Sequence, residues 1–126
     1  MIDIKIAVRD NRAALLSPID LVAGTVGQKC KFYFDENWQS LHKTVVYKLG
    51  STVIASETIE GDECIVPPKV FMQPNLPLEI GVTACNSDKS IVIATIWCQL
   101  GMINESAFEY ATAPNVKVIY DGGVIV

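Results

Sequence analysis

The chain has 126 residues, half of them hydrophobic, and a net charge of −4. This length suits a single domain with one core, and the apolar content exceeds that of disordered chains. An acidic chain lacks the positive charge that phosphate contacts require, so no nucleic-acid partner is expected.

The N-terminal segment alternates apolar and polar residues from Ile2 to Val8. This period of two predicts a strand, whereas a signal peptide needs an unbroken apolar run of about 7 to 15 residues. The longest charge-free run, Ser90 to Asn104, is shorter than the roughly 20 residues that cross a bilayer. We therefore predict neither an export signal nor a membrane span.

Alternation recurs along the rest of the chain, and helical periodicity does not. The predicted strands cover residues 26–34, 43–49, 52–60, 63–66, 78–85 and 91–100. The pair Gly50-Ser51 predicts a hairpin turn, and the stretch from Pro68 to Pro74 has room for about one helical turn. Residues 91–100 are apolar on both faces, which predicts a central strand.

This series of short strands predicts an all-β fold, an antiparallel β-sandwich of immunoglobulin-like or related type, with one short helical turn. One phase of the alternating strands must face a common interior. The predicted core residues are Phe32, Phe34, Ile80, Val82, Ile93 and Trp97, with Tyr47 and either Val45 or Val46.

We predict that residues 1–113 form the sandwich and that residues 114–126 form a C-terminal strand or hairpin, which is a candidate docking arm. Val116, Val118 and Tyr120 alternate with polar residues, and Asp121-Gly-Gly supplies a turn. An apolar strand of this kind must pair with its own sheet edge or with that of a neighbouring subunit. These three residues are the candidate assembly residues, and a homo-oligomer is expected.

The four cysteines form no C-x-x-C pair, and the chain has one histidine, so the spacing does not favour a zinc site. We predict four reduced thiols that behave as small buried hydrophobes, with one or two disulfides as the alternative. The cysteines are Cys30, Cys64, Cys85 and Cys98.

Catalytic groups are sparse. His42 beside a cysteine would make a nucleophile and base, but the third, orienting group has no recognisable signature. The carboxylate pairs Asp35-Glu36 and Asp62-Glu63 lie in predicted turns, where solvated side chains are expected. We therefore predict no enzymatic activity, no metal and no cofactor.

The aromatic residues allow two interpretations. Trp38 follows an acidic turn and is surrounded by polar residues, so with Tyr33 and His42 it is a candidate surface for binding a glycan. The alternative places Trp38 at one end of the sandwich as a core residue, and Trp97 in its middle.

Four segments in order carry a family resemblance. They are F-x-F-D-E-x-W-x-x-L-x-K-T-x-V-Y-K at residues 32–48, D-E-C-I-V-P-x-x-V at 62–70, P-L-E-I-G-V at 77–82 and A-T-I-W-x-x-L-G at 94–101. This order resembles a small β-sandwich module of tail, baseplate or fibre proteins from phages and prophages of Gram-positive bacteria.

The resemblance implies a non-enzymatic virion protein that serves attachment or assembly, with other virion proteins as partners. It implies location in the virion and, during assembly, in the cytoplasm of the bacterial host. It also implies that Trp38 is a framework residue of the module. Because the chain ends about 20 residues after the module, we expect a small accessory protein more than a fibre shaft.

Overall fold

The computed structural model describes residues 1–105, which form strands and two short helical turns. The strands are Ile4–Arg9 (β1), Arg12–Leu15 (β2), Leu21–Val22 (β3), Lys29–Phe34 (β4), His42–Leu49 (β5), Thr52–Ile59 (β6), Glu63–Ile65 (β7), Pro77–Cys85 (β8) and Val92–Asn104 (β9). One helical turn, α1, covers Glu36–Gln39, and a 3-10 turn covers Pro68–Phe71. Proline at the start of the 3-10 turn has its φ already set for a helix.

The strands form two sheets that enclose one core. One sheet has the order β2-β1-β4-β7, and the other has the order β3-β9-β8-β5-β6. The prediction of an all-β sandwich is thus confirmed. The predicted hairpin of β5 and β6 and the predicted helical turn after Pro67 are also confirmed. The prediction that the strands are antiparallel does not hold for two pairings, β1 with β4 and β3 with β9, which are parallel. Side-chain alternation carries no information about the relative direction of two strands.

The core is built from the inward phase of each strand. On β4, Cys30 and Phe32 are buried, and Phe34 is partly buried, as predicted. On β5 the two possible phases are now resolved, because Val45 and Tyr47 are fully buried and Val46 is not. Ile80 and Val82 of β8 and Val70 of the 3-10 turn complete this part of the core, together with Ile4, Ile6, Val8, Leu78 and Ile103.

The prediction that Trp97 fills the core is wrong. A β-bulge lies between Ile93, which pairs with Ala84, and Ile96, which pairs with Val82. A bulge inserts one extra residue and thereby inverts the phase of the residues that follow it. Ile93 and Ile96 both pack against the core, and Trp97 lies on the outer face opposite Gly81.

The short strands β2 and β3 were not predicted, because four and two residues give too little alternation to recognise. No helix in residues 1–105 is long and apolar enough to cross a membrane. The predicted C-terminal strand, with Val116, Val118 and Tyr120, lies outside the described residues.

Candidate functional site

The clearest candidate site is an open strand edge on β9. On one side β9 pairs with β8 from Val92 to Met102, and on the other side β3 reaches only Ile103 and Asn104. Within the described chain, the second edge of β9 is therefore hydrogen-bonded to no strand from Val92 to Leu100, and β2 of the other sheet packs near it without pairing. The prediction that this strand is central is wrong for most of its length, because its single outer neighbour is two residues long.

A groove runs along this edge. Its volume is about 670 Å³, and it is lined by residues 11–13 of the β1–β2 turn and β2 and by residues 92–97 of β9. β2 is also the last strand of its own sheet. The groove thus lies between the open edges of both sheets, and each edge offers backbone N–H and C=O groups to an added strand.

The side chains at this edge are uncharged, and most of them are apolar. Ile91 and Val92 are 54% and 61% exposed, and no charged residue or proline occurs from Ser90 to Asn104. Two bulges on β9, near Thr95 and at Leu100, discourage strand addition here.

The edge strands on the opposite side of the sandwich, β6 and β7, carry charged residues. β6 carries Glu57 on the inward side, where its carboxylate accepts a 2.9 Å hydrogen bond from the Tyr47 hydroxyl. β7 begins at Glu63, which is 3.7 Å from Lys29 and 3.5 Å from Lys31. Inward-pointing and flanking charges of this kind protect edge strands from unwanted pairing. The β9 strand carries no charged residue from Val92 to Leu100, so its edge is the one best suited to pair with another strand.

The outer face next to this edge carries Trp97. Gly81 opposes it on β8 and leaves room for the ring, because a Cβ on Gly81 would lie 2.7 Å from a ring carbon. The Lys48 ammonium lies 4.3 Å from the ring centroid and 3.7 Å from the Glu79 carboxylate. These contacts hold Trp97 against the sheet in a partly buried position.

Trp38, which we predicted as a candidate binding residue, is fully buried, so it offers no surface for a ligand. Its indole N–H donates a 3.1 Å hydrogen bond to the Asp10 carbonyl, and its ring stacks on Phe34 at 5.6 Å between centroids. The side chain therefore joins the α1 turn to the turn between β1 and β2. This position agrees with the alternative prediction that Trp38 is a core residue.

The acidic turn before Trp38 is a helix cap. One carboxylate oxygen of Asp35 accepts a 3.1 Å hydrogen bond from the Asn37 N–H, and the other accepts a 2.8 Å bond from the Asp10 N–H. Asp10 has φ of 50°, an uncommon conformation for a residue with a side chain. Asp35 thus fixes both turns that Trp38 connects.

We expect Asp35→Ala to lower the free energy of unfolding by about 1–2 kcal/mol, because an N-cap and a second backbone hydrogen bond are lost. Urea denaturation measures this change. Glu36→Ala is the matched control, because Glu36 is an exposed neighbour in the same turn. Equal effects of the two substitutions would contradict the capping role.

Tyr33 and His42 remain at the surface. Tyr33 is 44% exposed, with the Lys31 ammonium 5.7 Å from its ring centroid. His42 begins β5 directly opposite Cys85 of β8, and its Nε2 lies 3.3 Å from the Ser87 hydroxyl. The structure thus brings His42 beside one of the four thiols, in a shallow depression of about 220 Å³. The observed imidazole hydrogen bond connects it to Ser87.

Lys43 has a position that the sequence did not reveal. It shares the inward phase of β5, and its ammonium donates to the carbonyls of Gln39 and Leu41 at 3.4 and 3.1 Å. The ammonium also lies 4.9 Å from the Phe34 ring centroid. Burial lowers the pKa of Lys43. Lys43 therefore satisfies carbonyls at the end of α1 and acts as a structural residue.

Comparison of the chain with family models, with curated proteins and with solved structures found no match. Within residues 1–105, no group of three or more histidine, cysteine or acidic side chains is placed to hold a metal ion.

Sequence reasoning identified the apolar, charge-free character of residues 91–100 and missed their position at an edge. The sequence did not reveal β2, and the groove depends on the position of its residues Arg12 and Ala13 beside β9. Only the tertiary arrangement shows that two open edges meet there.

Proposed function

We propose that this protein is a non-enzymatic assembly module of a phage or prophage particle, associated with the tail or baseplate. The observation that carries the proposal is the open β9 edge, from Val92 to Leu100, beside a groove with both polar and apolar lining residues. The four ordered segments that resemble phage tail modules support the same function. Other virion proteins and further copies of this chain are the proposed partners, and the virion is the proposed location.

Strand addition is the proposed mode of contact. An added strand would satisfy the backbone groups of β9 on its open side, and alternate side chains of that strand would enter the groove. Exposed aliphatic residues at the edge, such as Ile91 and Val92, would be removed from water. This combination supplies both affinity and register, and Arg12 is the charged residue in the lining of the groove.

The proposed occupant is the C-terminal segment of a second copy of this chain. That segment contains Val116, Val118 and Tyr120 at alternating positions, and 21 residues follow Glu105 in the sequence. An extended chain of that length spans up to about 70 Å, more than enough to reach a neighbouring subunit. Reciprocal exchange of the segment would produce a closed symmetric oligomer.

Two substitutions of the same kind test the edge. Val92→Lys places a charge on the β9 edge, and Val53→Lys places one on the β6 edge, at positions that are 61% and 56% exposed. We expect light scattering to show an oligomer for the unchanged chain and for Val53→Lys, and a shift toward monomer for Val92→Lys. Equal behaviour of the two variants would contradict assembly through β9.

A chain ending at Pro114 tests the occupant. Loss of the oligomer on truncation would support exchange between subunits. A monomer before and after truncation, with lower thermal stability after it, would mean that the segment pairs with its own subunit. A monomer in both cases with unchanged stability would contradict the proposed docking arm.

Carbohydrate or host-surface binding is the second candidate function. The burial of Trp38 removes the largest aromatic ring from the surface that we predicted for it. Tyr33 remains exposed, next to a cleft lined by Lys31, Gln39 and Asp62. A sugar array that returned a strong signal abolished by Tyr33→Ala would favour this function over assembly.

A further inference from the structure

Cys30 and Cys64 oppose each other on neighbouring strands. β4 and β7 are antiparallel, and Cys30 is the direct partner of Cys64. Two residues further along these strands, the N–H of Phe32 donates a 2.7 Å hydrogen bond to the carbonyl of Asp62, which lies opposite it. Hydrogen-bonded and non-hydrogen-bonded pairs of opposite residues alternate along antiparallel strands, so Cys30 and Cys64 also form a hydrogen-bonded pair. The Cα atoms of such a pair are about 5.5 Å apart. This spacing lies inside the range of about 4.4–6.8 Å that disulfides require.

Both sulfur atoms are reduced, and they differ in their surroundings. Cys30 is fully buried and Cys64 is partly buried, on a strand at the edge of its sheet. The Cys64 sulfur lies 3.2 Å from the hydroxyl of Tyr47, which reaches it from the opposite sheet. A small oxidant in solvent thus meets Cys64 before Cys30.

Hydrogen bonding makes Cys64 the more acidic thiol. The hydrogen bond from Cys30 is the largest effect that lowers the pKa of Cys64, and the hydrogen bond from Tyr47 acts in the same direction. Burial and the nearby Glu57 carboxylate oppose both effects. The contact with Cys64 and burial raise the pKa of Cys30. Burial also raises the pKa of Tyr47, so its hydroxyl keeps its one proton. That proton is donated to the Glu57 carboxylate while Cys64 is a thiol, and it can turn to the Cys64 sulfur, 3.2 Å away, once Cys64 is ionised.

We propose that Cys64 and Cys30 form a reversible peroxide-sensitive dithiol, in which Cys64 is the reacting thiol and Cys30 the resolving thiol. In the first step the Cys64 thiolate attacks one oxygen of hydrogen peroxide, so that an S–O bond forms, the O–O bond breaks and hydroxide leaves. In the second step the Cys30 sulfur attacks the Cys64 sulfenic acid. The S–S bond forms, the S–O bond breaks, and the departing oxygen takes the Cys30 proton and leaves as water.

The position of Cys64 on an edge strand allows the two sulfurs to meet. In a hydrogen-bonded pair the Cβ atoms are somewhat farther apart than the roughly 3.5–4.5 Å that a disulfide prefers, so β7 must shift by about 1 Å. β7 has three residues and pairs on one side only, with β4, in the described chain. Bond formation would also break the contact between Cys64 and Tyr47, which links the two sheets.

Hydrogen peroxide added to the native full-length protein is the direct test, followed by intact mass and peptide mapping. We expect a mass lowered by about 2 Da, two thiols lost out of four, a Cys30–Cys64 cross-link, and full reversal by dithiothreitol. Cys85→Ser is the matched control, because Cys85 is also partly buried but faces His42 and no second thiol. It should keep the cross-link, and Cys64→Ser should abolish it.

The pH dependence gives an independent readout. The reaction of Cys64 with iodoacetamide should have a lower midpoint pH in the unchanged chain than in Tyr47→Phe, because the variant lacks the hydroxyl that can donate to the thiolate. At a pH below both midpoints, each pH unit that separates them corresponds to about a tenfold difference in the fraction of thiolate.

Several results would overturn the proposal, and all are available from the unchanged protein. These are a cross-link between Cys30 and Cys98, oxygen addition at Cys64 without loss of the Cys30 thiol, or faster oxidation of Cys85 than of Cys64. The oligomeric state does not enter any of these measurements, so their outcome is separate from that of the assembly proposal.

Discussion

Replacement of Trp38 with alanine is expected to lower the free energy of unfolding by about 3–5 kcal/mol, which is the usual cost of removing a buried aromatic ring. The side chain is fully buried, and it stacks on Phe34, which in turn stacks on Phe32 at 5.4 Å between centroids. Truncation would leave a cavity beside this row of rings. It would also leave the Asp10 carbonyl without its indole donor.

Two further variants separate these effects. Trp38→Phe removes the indole donor and part of the volume, and we expect a loss of about 1–3 kcal/mol. Tyr33→Ala is the matched control, because Tyr33 is an aromatic residue at the end of β4, five positions before Trp38, but is 44% exposed. Urea or thermal denaturation measures all three. A loss below about 1 kcal/mol for Trp38→Ala would contradict a core role.

The burial of Trp38 shows where sequence reasoning reaches its limit. The alternation of β4 correctly placed Cys30 and Phe32 inside, because a strand has a fixed period of two. Trp38 lies in a helical turn between two strands, where no period applies. Its burial depends on the β1–β2 turn, whose Asp10 carbonyl is 28 residues away in the chain. Polar neighbours in the sequence therefore gave no reliable sign of its environment.

The β9 strand shows a second limit. Its apolar residues predicted burial on both faces, and the structure instead places one side of it at an open edge. The bulge between Ile93 and Ile96 also changes which residues face inward, and no residue pattern marked it. The chemistry of the candidate site was thus visible in the sequence, and its exposure was not. Exposure depends on the short strands β2 and β3 and on how far they extend.

The second large effect is expected at Gly81, which supports Trp97. Gly81 is buried in the middle of β8, and a Cβ there would lie 2.7 Å from one Trp97 ring carbon and 2.8 Å from the Thr95 methyl group. Contacts this short force the neighbouring side chains to move. We expect Gly81→Ala to lower the free energy of unfolding by about 1–3 kcal/mol, the range for overpacked sites. Trp97 would have to leave its position beside Lys48.

A double-mutant cycle with Trp97→Ala distinguishes this steric cause from a backbone cause. Gly81 does not have a positive φ, so alanine fits the backbone there, and without the ring the Thr95 methyl group, 2.8 Å from the Cβ position, is the close contact that remains. The penalty of Gly81→Ala should therefore shrink in the Trp97→Ala background, with a coupling energy of about 0.5–3 kcal/mol. Gly101→Ala is the control, because Gly101 has φ of 117° and nothing within 4 Å of its Cβ position. Its penalty comes from the backbone and should be the same in both backgrounds. If the effects of Gly81→Ala and Trp97→Ala were additive, the position of the Trp97 ring would not depend on the absence of a side chain at Gly81.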